Sequence, residues 1–247
     1  MLPISLIKHR LFKQSHLPIL VVLIIIITYN LLSFSLSLER LALLTQEDGI
    51  IESLAAVSYL ISASLLFYLF LNSKSEDHPY IFNRKRNPFF LFLSIIFIIF
   101  LGEEISWGQR IFNIESPDFF LNGNRQDEIN IHNLNVWDAI YPTGEPKRGL
   151  IRFFSSVAMY SYFWFAYCLI IPFFSKFSAK AKNLTLRIGF PVIPLLYGIL
   201  FIINFITFEL LEYSGIGMRP LVEVKETNFA LLYLAASFTL LIIYRNK

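Results

Sequence analysis

PFFLFLSIIFIIFLGEEISW, residues 88–107, is apolar through nearly all of its first fourteen positions and then carries two adjacent glutamates ahead of a tryptophan. A helix needs about 20 mostly apolar residues to cross the hydrocarbon core of a bilayer, and this stretch, Pro88 to Trp107, has that length. Working outward, five further stretches qualify: Leu17 to Leu38, Ile51 to Leu71, Gly149 to Phe174, Ile188 to Phe208 and Asn228 to Tyr244. The last is short by itself and reaches spanning length if its helix begins near Glu223. Lys8, Arg10 and Lys13 precede the first, as in a signal peptide, but its apolar run is too long and lacks a small-residue cleavage site, so a retained anchor is expected. The predicted fold is all-α: a single polytopic domain, residues 1–247, forming an integral membrane bundle of six transmembrane helices.

Composition agrees. Apolar residues make up 55% of the 247 and charged ones 16%, against roughly 25% charged in soluble domains, which excludes an ordinary water-soluble domain. Aromatics at 17%, with 26 Phe, exclude a disordered chain. The net charge of +3 gives no reason to expect a nucleic-acid partner. Cys168 is the single cysteine, so no internal disulfide can form.

The connecting segments set the orientation, because Lys and Arg are retained on the cytoplasmic side during insertion. The N-terminus, residues 72–87, residues 175–187 and the C-terminal tail hold thirteen basic residues against Glu76 and Asp77. The alternate segments hold seven basic residues and the other sixteen acids, Glu52 included. Both termini are therefore expected in the cytoplasm. With no eukaryotic sorting signal at either end, the expected location is a bacterial-type plasma membrane.

The outward loop, residues 108–148, is too long for a minimal turn, and loops of that length tend to be functional. Its aromatic residues suit a segment packed at the membrane interface, with Trp107 and Trp137 as anchors. Ser116-Pro117-Asp118 reads as a helix start with proline at the first position. Gly102-Glu103-Glu104-Ile105-Ser106-Trp107-Gly108-Gln109-Arg110 is the most informative string. With a rise of about 1.5 Å per residue, Glu103 lies about 22 Å along the third helix, below the outer edge of a roughly 30 Å core. Charges there are costly and normally turn toward protein or water. Helical spacing predicts Glu103, Ser106 and Arg110 on one face. Glu52, Arg152, Glu209 and Glu212 fall at similar depth on other spans, and Glu209 and Glu212 share a helical face. Glu128 and His132, four apart, do the same if the loop is helical there. Gly102 and Gly108 are read as permitting close packing, and Pro191 and Pro194 as kinking the fifth span.

Gly102 to Phe112, with Asn130-Ile131-His132-Asn133-Leu134 after it, resembles the signature of an uncharacterised group of bacterial multi-pass membrane proteins, over roughly Leu101 to Leu134. A looser similarity is to the CAAX-protease-like intramembrane glutamic proteases, whose pattern pairs glutamates with an arginine on one helix and adds histidines on later helices. Glu103 and Glu104 match the pair, whereas Gly108 stands where that family has arginine, Arg110 is two residues late, and no later span contains a histidine. What this similarity implies is that paired intramembrane glutamates can activate water.

Three readings of the acidic cluster follow. Glu103, Glu104, Glu128, His132, Glu209 and Glu212 could hold a divalent metal whose bound water is acidified. The acids could instead neutralise Arg40, Arg110, Arg152 and Arg219 as a structural network. Or Gln109, Arg110, Arg152 and Arg219 could bind an anionic ligand without metal. The expected function is a membrane-embedded hydrolase or transferase, with Glu103, Glu104 and His132 as catalytic residues. It would act at the outer leaflet on a lipid, a lipid-linked substrate or an exported polypeptide. The alternatives are a small proton- or cation-coupled transporter and a non-catalytic assembly subunit.

Overall fold

A computed structural model describes residues 4–46, 49–73, 85–124, 128–132, 134–137, 145, 147, 149–216 and 219–245. Among the described residues all regular structure is helical, with one isolated antiparallel bridge between Asn124 and Leu134. The helices are α1 (Ile4–Ser35), α2 (Leu38–Leu44), α3 (Ile50–Asn72), α4 (Pro88–Glu104), α5 (Gln109–Phe112), α6 (Asp118–Gly123), α7 (Ser156–Trp164), α8 (Ile171–Phe177), α9 (Ala179–Ile188), α10 (Leu195–Leu211) and α11 (Arg219–Arg245). A π-helical segment, Phe165–Ile170, joins α7 to α8. Among the described residues five stretches are long and apolar enough to cross a membrane: Leu17–Ser35, Ile50–Asn72, Ser156–Phe177, Leu195–Ser214 and Pro220–Arg245.

The boundaries depart from the sequence expectation where local chemistry stops or starts a helix. The stretch expected to run to Trp107 is helical only to Glu104, because Ser106 and Trp107 adopt positive φ of 46° and 52°. The fourth stretch begins at Ser156 rather than Gly149. Ser155 is extended and caps the helix by accepting a hydrogen bond from the Ala158 amide at 3.3 Å. The fifth begins at Leu195, not Ile188. Gly189, with φ of 74°, ends α9, and Pro191 and Pro194 lie ahead of α10 instead of kinking it. The last extends back to Arg219, so Glu223 and Glu226 are helical. Residues 74–84, part of an expected basic loop, lie outside the described residues.

α11 is the central helix. Two-thirds (67%) of its apolar window is buried, against 17% for α1, which sits at the periphery. It packs against α1, α3 and α10, and α3 packs against α4. The core is aromatic: the Tyr233 ring lies 4.8 Å from Phe201 and 5.0 Å from Phe97, centroid to centroid, and also meets Tyr59, Phe100 and Phe163. Such pairs contribute beyond area burial. An amide chain ties three helices together: Asn228 Nδ2 donates to Asn30 Oδ1 at 3.1 Å and to Asn204 Oδ1 at 2.9 Å. Asn204 in turn donates to the Lys225 carbonyl at 3.0 Å. Buried amides of this kind hold helices together in apolar surroundings.

α10 approaches the π-helical segment with backbone against backbone. Gly198 sits so close that a Cβ there would overlap the Cys168 carbonyl oxygen and lie 2.9 Å from Leu169 Cα. The widened turn brings that carbonyl toward α10, and only glycine leaves it room.

The two ends of the bundle differ in charge. One end gathers Lys85, Arg86, Lys176, Lys180, Lys182, Arg187 and Arg245 around the start of α4 and the ends of α8, α9 and α11. The described carboxyls lie at the opposite end and in its loops.

Candidate functional site

The acidic end is built around the break after α4. Two non-glycine residues at positive φ carry a backbone cost of roughly 1–2 kcal/mol each, so side-chain contacts must hold the turn. Trp107 folds back over Gly102, where a Cβ would lie 2.8 Å from the indole, and its Nε1 donates to Glu103 at 2.7 Å. Ser106 donates to the buried carboxylate of Glu128. Gly108, with φ of 81°, completes the turn. Gly102 therefore makes room for an indole and Gly108 for a turn, not for another helix. The break also undoes the expected shared face of Glu103, Ser106 and Arg110.

Glu103 fastens the loop to α4. Its side chain is only 14% exposed and accepts four hydrogen bonds. One comes from Trp107, and the others from the amides of Ile131 at 2.8 Å and His132 at 2.7 Å and from His132 Nδ1 at 2.9 Å. Nδ1 of the half-exposed His132 is thus committed to Glu103. Burial pulls the His132 pKa down, but the hydrogen bond and charge of Glu103, with the charges of Glu226 and Glu223, outweigh it and leave the pKa above the usual histidine value.

Glu128 and His132 do not share a helical face; the chain between them is irregular, and they serve different partners. The Glu128 carboxylate takes Ser106 and, at 3.1 Å, Asn130. Asn124 stitches this turn by donating from Nδ2 to the Glu128 carbonyl, the Asn130 carbonyl and Asn130 Oδ1, each at 2.8 Å. Gln109, expected to bind substrate, is committed instead: its Nε2 donates to Ser116 at 2.6 Å and its Oε1 accepts from the Ile129 amide at 2.6 Å. Pro117 occupies the cap position before α6, so the helix starts at Asp118, one residue later than expected. Since Asn124 is buried, Asn124→Ala takes this donor from the Asn130 carbonyl and from Asn130 Oδ1, while the Glu128 carbonyl keeps the Asn130 amide at 2.9 Å. A loss of about 2–3 kcal/mol is expected, read as a lower melting temperature and faster hydrogen exchange at Asn130.

Glu104 points the other way, toward the bundle. The carboxyls acting most strongly on it are Glu226, Glu223, Glu52 and Glu103. Glu226 also interacts with His132 and Lys225. Below them the hydroxyls of Tyr59 and Tyr160 meet at 3.3 Å, and both tyrosines feel Glu104 and Glu226. Glu226 is exposed, whereas Tyr233, two turns further along the same helix face, is fully buried. The site is thus closed on its inner side by the aromatic core.

The structure brings together Glu103, Glu104, His132 and Glu52 from the expected set. It does not bring Glu209 and Glu212 in with them: Glu209 pairs with Lys225 at 3.2 Å, and Glu212 is exposed beyond the end of α10. Among the described residues no group of three His, Cys, Asp or Glu side chains is arranged to hold a metal ion. The side chains of Arg110, Arg152 and Arg219 lie outside the described residues, while Arg40 is exposed on α2. Comparison with family models, curated proteins and solved structures found no match.

Sequence reasoning missed Glu223, Glu226, Tyr59 and Tyr160. The signal for the first two was the three-residue spacing within Glu223-Val224-Lys225-Glu226, which puts both acids on one helical face. The tyrosines carried none, since a tyrosine in an apolar span reads as packing.

Proposed function

We propose that the chain is a six-helix membrane bundle in a bacterial-type plasma membrane. In this reading α4 is the sixth span, both termini are cytoplasmic, and the acidic end with its interfacial loop faces outward. There it acts as a hydrolase or transferase on a lipid, a lipid-linked molecule or an exported polypeptide. The observation that carries this reading is the hydrogen-bonded pair of Glu103 and His132, set beside the carboxyls of Glu104 and Glu226. Glu103 accepts from Nδ1, leaving the far ring nitrogen to take a proton from water or an alcohol while Glu103 stabilises the imidazolium. Glu104, facing Glu226, is positioned to protonate the leaving group. Membrane activity fits five apolar helices of spanning length.

The experiment uses the purified chain in vesicles of bacterial lipid extract, with lipid products followed by mass spectrometry. Turnover is expected to rise with pH as His132 loses its proton, with a midpoint above 6.5 because its pKa is raised. In Glu103→Gln the largest raising influence is removed while burial remains, so the midpoint moves down. The same linkage acts on stability: the protonated pair stabilises the docked loop below the unfolded histidine pKa, and that contribution fades as pH climbs through the raised one. Product formation that is identical in wild type, Glu103→Gln and His132→Ala would refute the proposal.

A second reading, proton-coupled transport, is favoured by one feature. Beneath the Tyr59–Tyr160 pair, the buried Tyr233 and Cys168 continue a line of polar groups into the core. Proton-dependent uptake into vesicles without any new lipid product would select it.

A further inference from the structure

We propose that the basic end of the bundle is a binding site for an anionic phospholipid. Its phosphate meets Lys176 and the cations of α9, and its acyl chain enters the groove between α8 and the segment leading into α10. That groove has a volume of about 360 Å³ and is walled by Pro172 and Ser175 on one side and by Val192, Pro194 and Leu196 on the other, with Lys176 at its lining. It exists for a local reason. Gly189 ends α9, and the prolines keep the following residues from continuing as helix, so an extended, apolar segment runs beside α8 without the close fit of two helices.

α9 is held alongside by the hydroxyls of Ser175 and Thr185, 3.4 Å apart, and presents Lys180, Lys182 and Arg187 to solvent. Insertion bias accounts for the number of cations on this side. It does not account for their being gathered on a short helix fastened next to an apolar groove. The exposed Lys176, Lys180, Lys182 and Arg187 complement a negatively charged headgroup, and the groove complements a chain. Basic pockets between membrane helices recognise lipid headgroups in this way. The inference needs the bundle to sit in a membrane but is independent of any chemistry at the acidic end.

Native mass spectrometry of the full chain in detergent, with phosphatidylglycerol or phosphatidylcholine of equal acyl chains, reads the binding directly. Phosphatidylglycerol is expected to be retained at least about tenfold more tightly, and each lysine removed from Lys176, Lys180 and Lys182 as glutamine to weaken it about fivefold. Leu196→Trp, which fills the groove, should weaken both lipids alike, and millimolar inorganic phosphate should displace neither. Lys176→Gln alone removes one exposed charge and serves if the triple variant does not fold. Equal retention of the two lipids, a preference that survives the lysine substitutions, unaltered binding in Leu196→Trp, or displacement by inorganic phosphate would each overturn the proposal.

Discussion

Glu103→Gln is expected to lower turnover about 10²- to 10⁴-fold, the usual range for losing an oriented acid–base group. The substitution keeps the size of the side chain while removing its charge and half of its accepting capacity. In the native site the carboxylate receives four donors: Trp107 Nε1, two backbone amides and His132 Nδ1. A glutamine turns its NH₂ either to Trp107 Nε1, which donates to one oxygen, or to the Ile131 and His132 amides and His132 Nδ1, which share the other, so at least one donor faces another donor and the loop loosens. The imidazole then loses both its orientation and the charge that stabilises its protonated form. Hydrogen exchange at the two amides should accelerate alongside the kinetic loss. Turnover within twofold of wild type would show that the pair only fixes the loop.

The second large effect is on folding. Gly198→Leu is expected to cost at least about 3 kcal/mol, at or beyond the top of the range for overpacked interiors. The obstacle is the backbone oxygen of Cys168 and not a side chain that could rotate away. Relief requires α10 to move off the π-helical segment, which would part Phe201 from Trp164, stacked at 5.9 Å, and from Phe229 at 5.1 Å. For a chain of this length the melting temperature in detergent should fall by roughly 6–12 °C. A change under 2 °C would mean that the helices do not meet as closely as described.

The fold was legible wherever burial alone decides the outcome. Long apolar runs read as helices because no other element satisfies its own backbone in an apolar setting, and Leu66, Phe97, Phe201 and Tyr233 lie in helices where those runs predicted them. Helix ends were harder. Glu104 ends α4 because Trp107 can fold onto Gly102 and reach Glu103, a three-residue closure that linear periodicity misreads as another turn of helix. The candidate site divides the same way. Glu103, Glu104 and His132 stood out as charged or titratable groups in unusual surroundings, and the structure places them together. That Glu103 serves the loop while its neighbour serves the bundle depends on side-chain direction at the helix end. Glu226 joined the site only through the packing of α11 against α3, which in turn packs against α4. The Gln109 amide satisfies loop backbone and hydroxyl groups, a demand that appears only once the loop is folded.

α4 has 17 residues, about 25 Å at helical rise, while a bilayer's hydrocarbon layer is about 30 Å thick. In the proposed setting the shortfall is met by the lipid: the outer leaflet thins locally around the Glu104 terminus, as bilayers do beside short spans. Headgroups then sit lower there than elsewhere around the protein, and the ester linkages just beneath them come down toward the carboxyls. A bilayer of longer-chain lipids would make that dip costlier, so acyl-chain length itself becomes a variable to which turnover should respond.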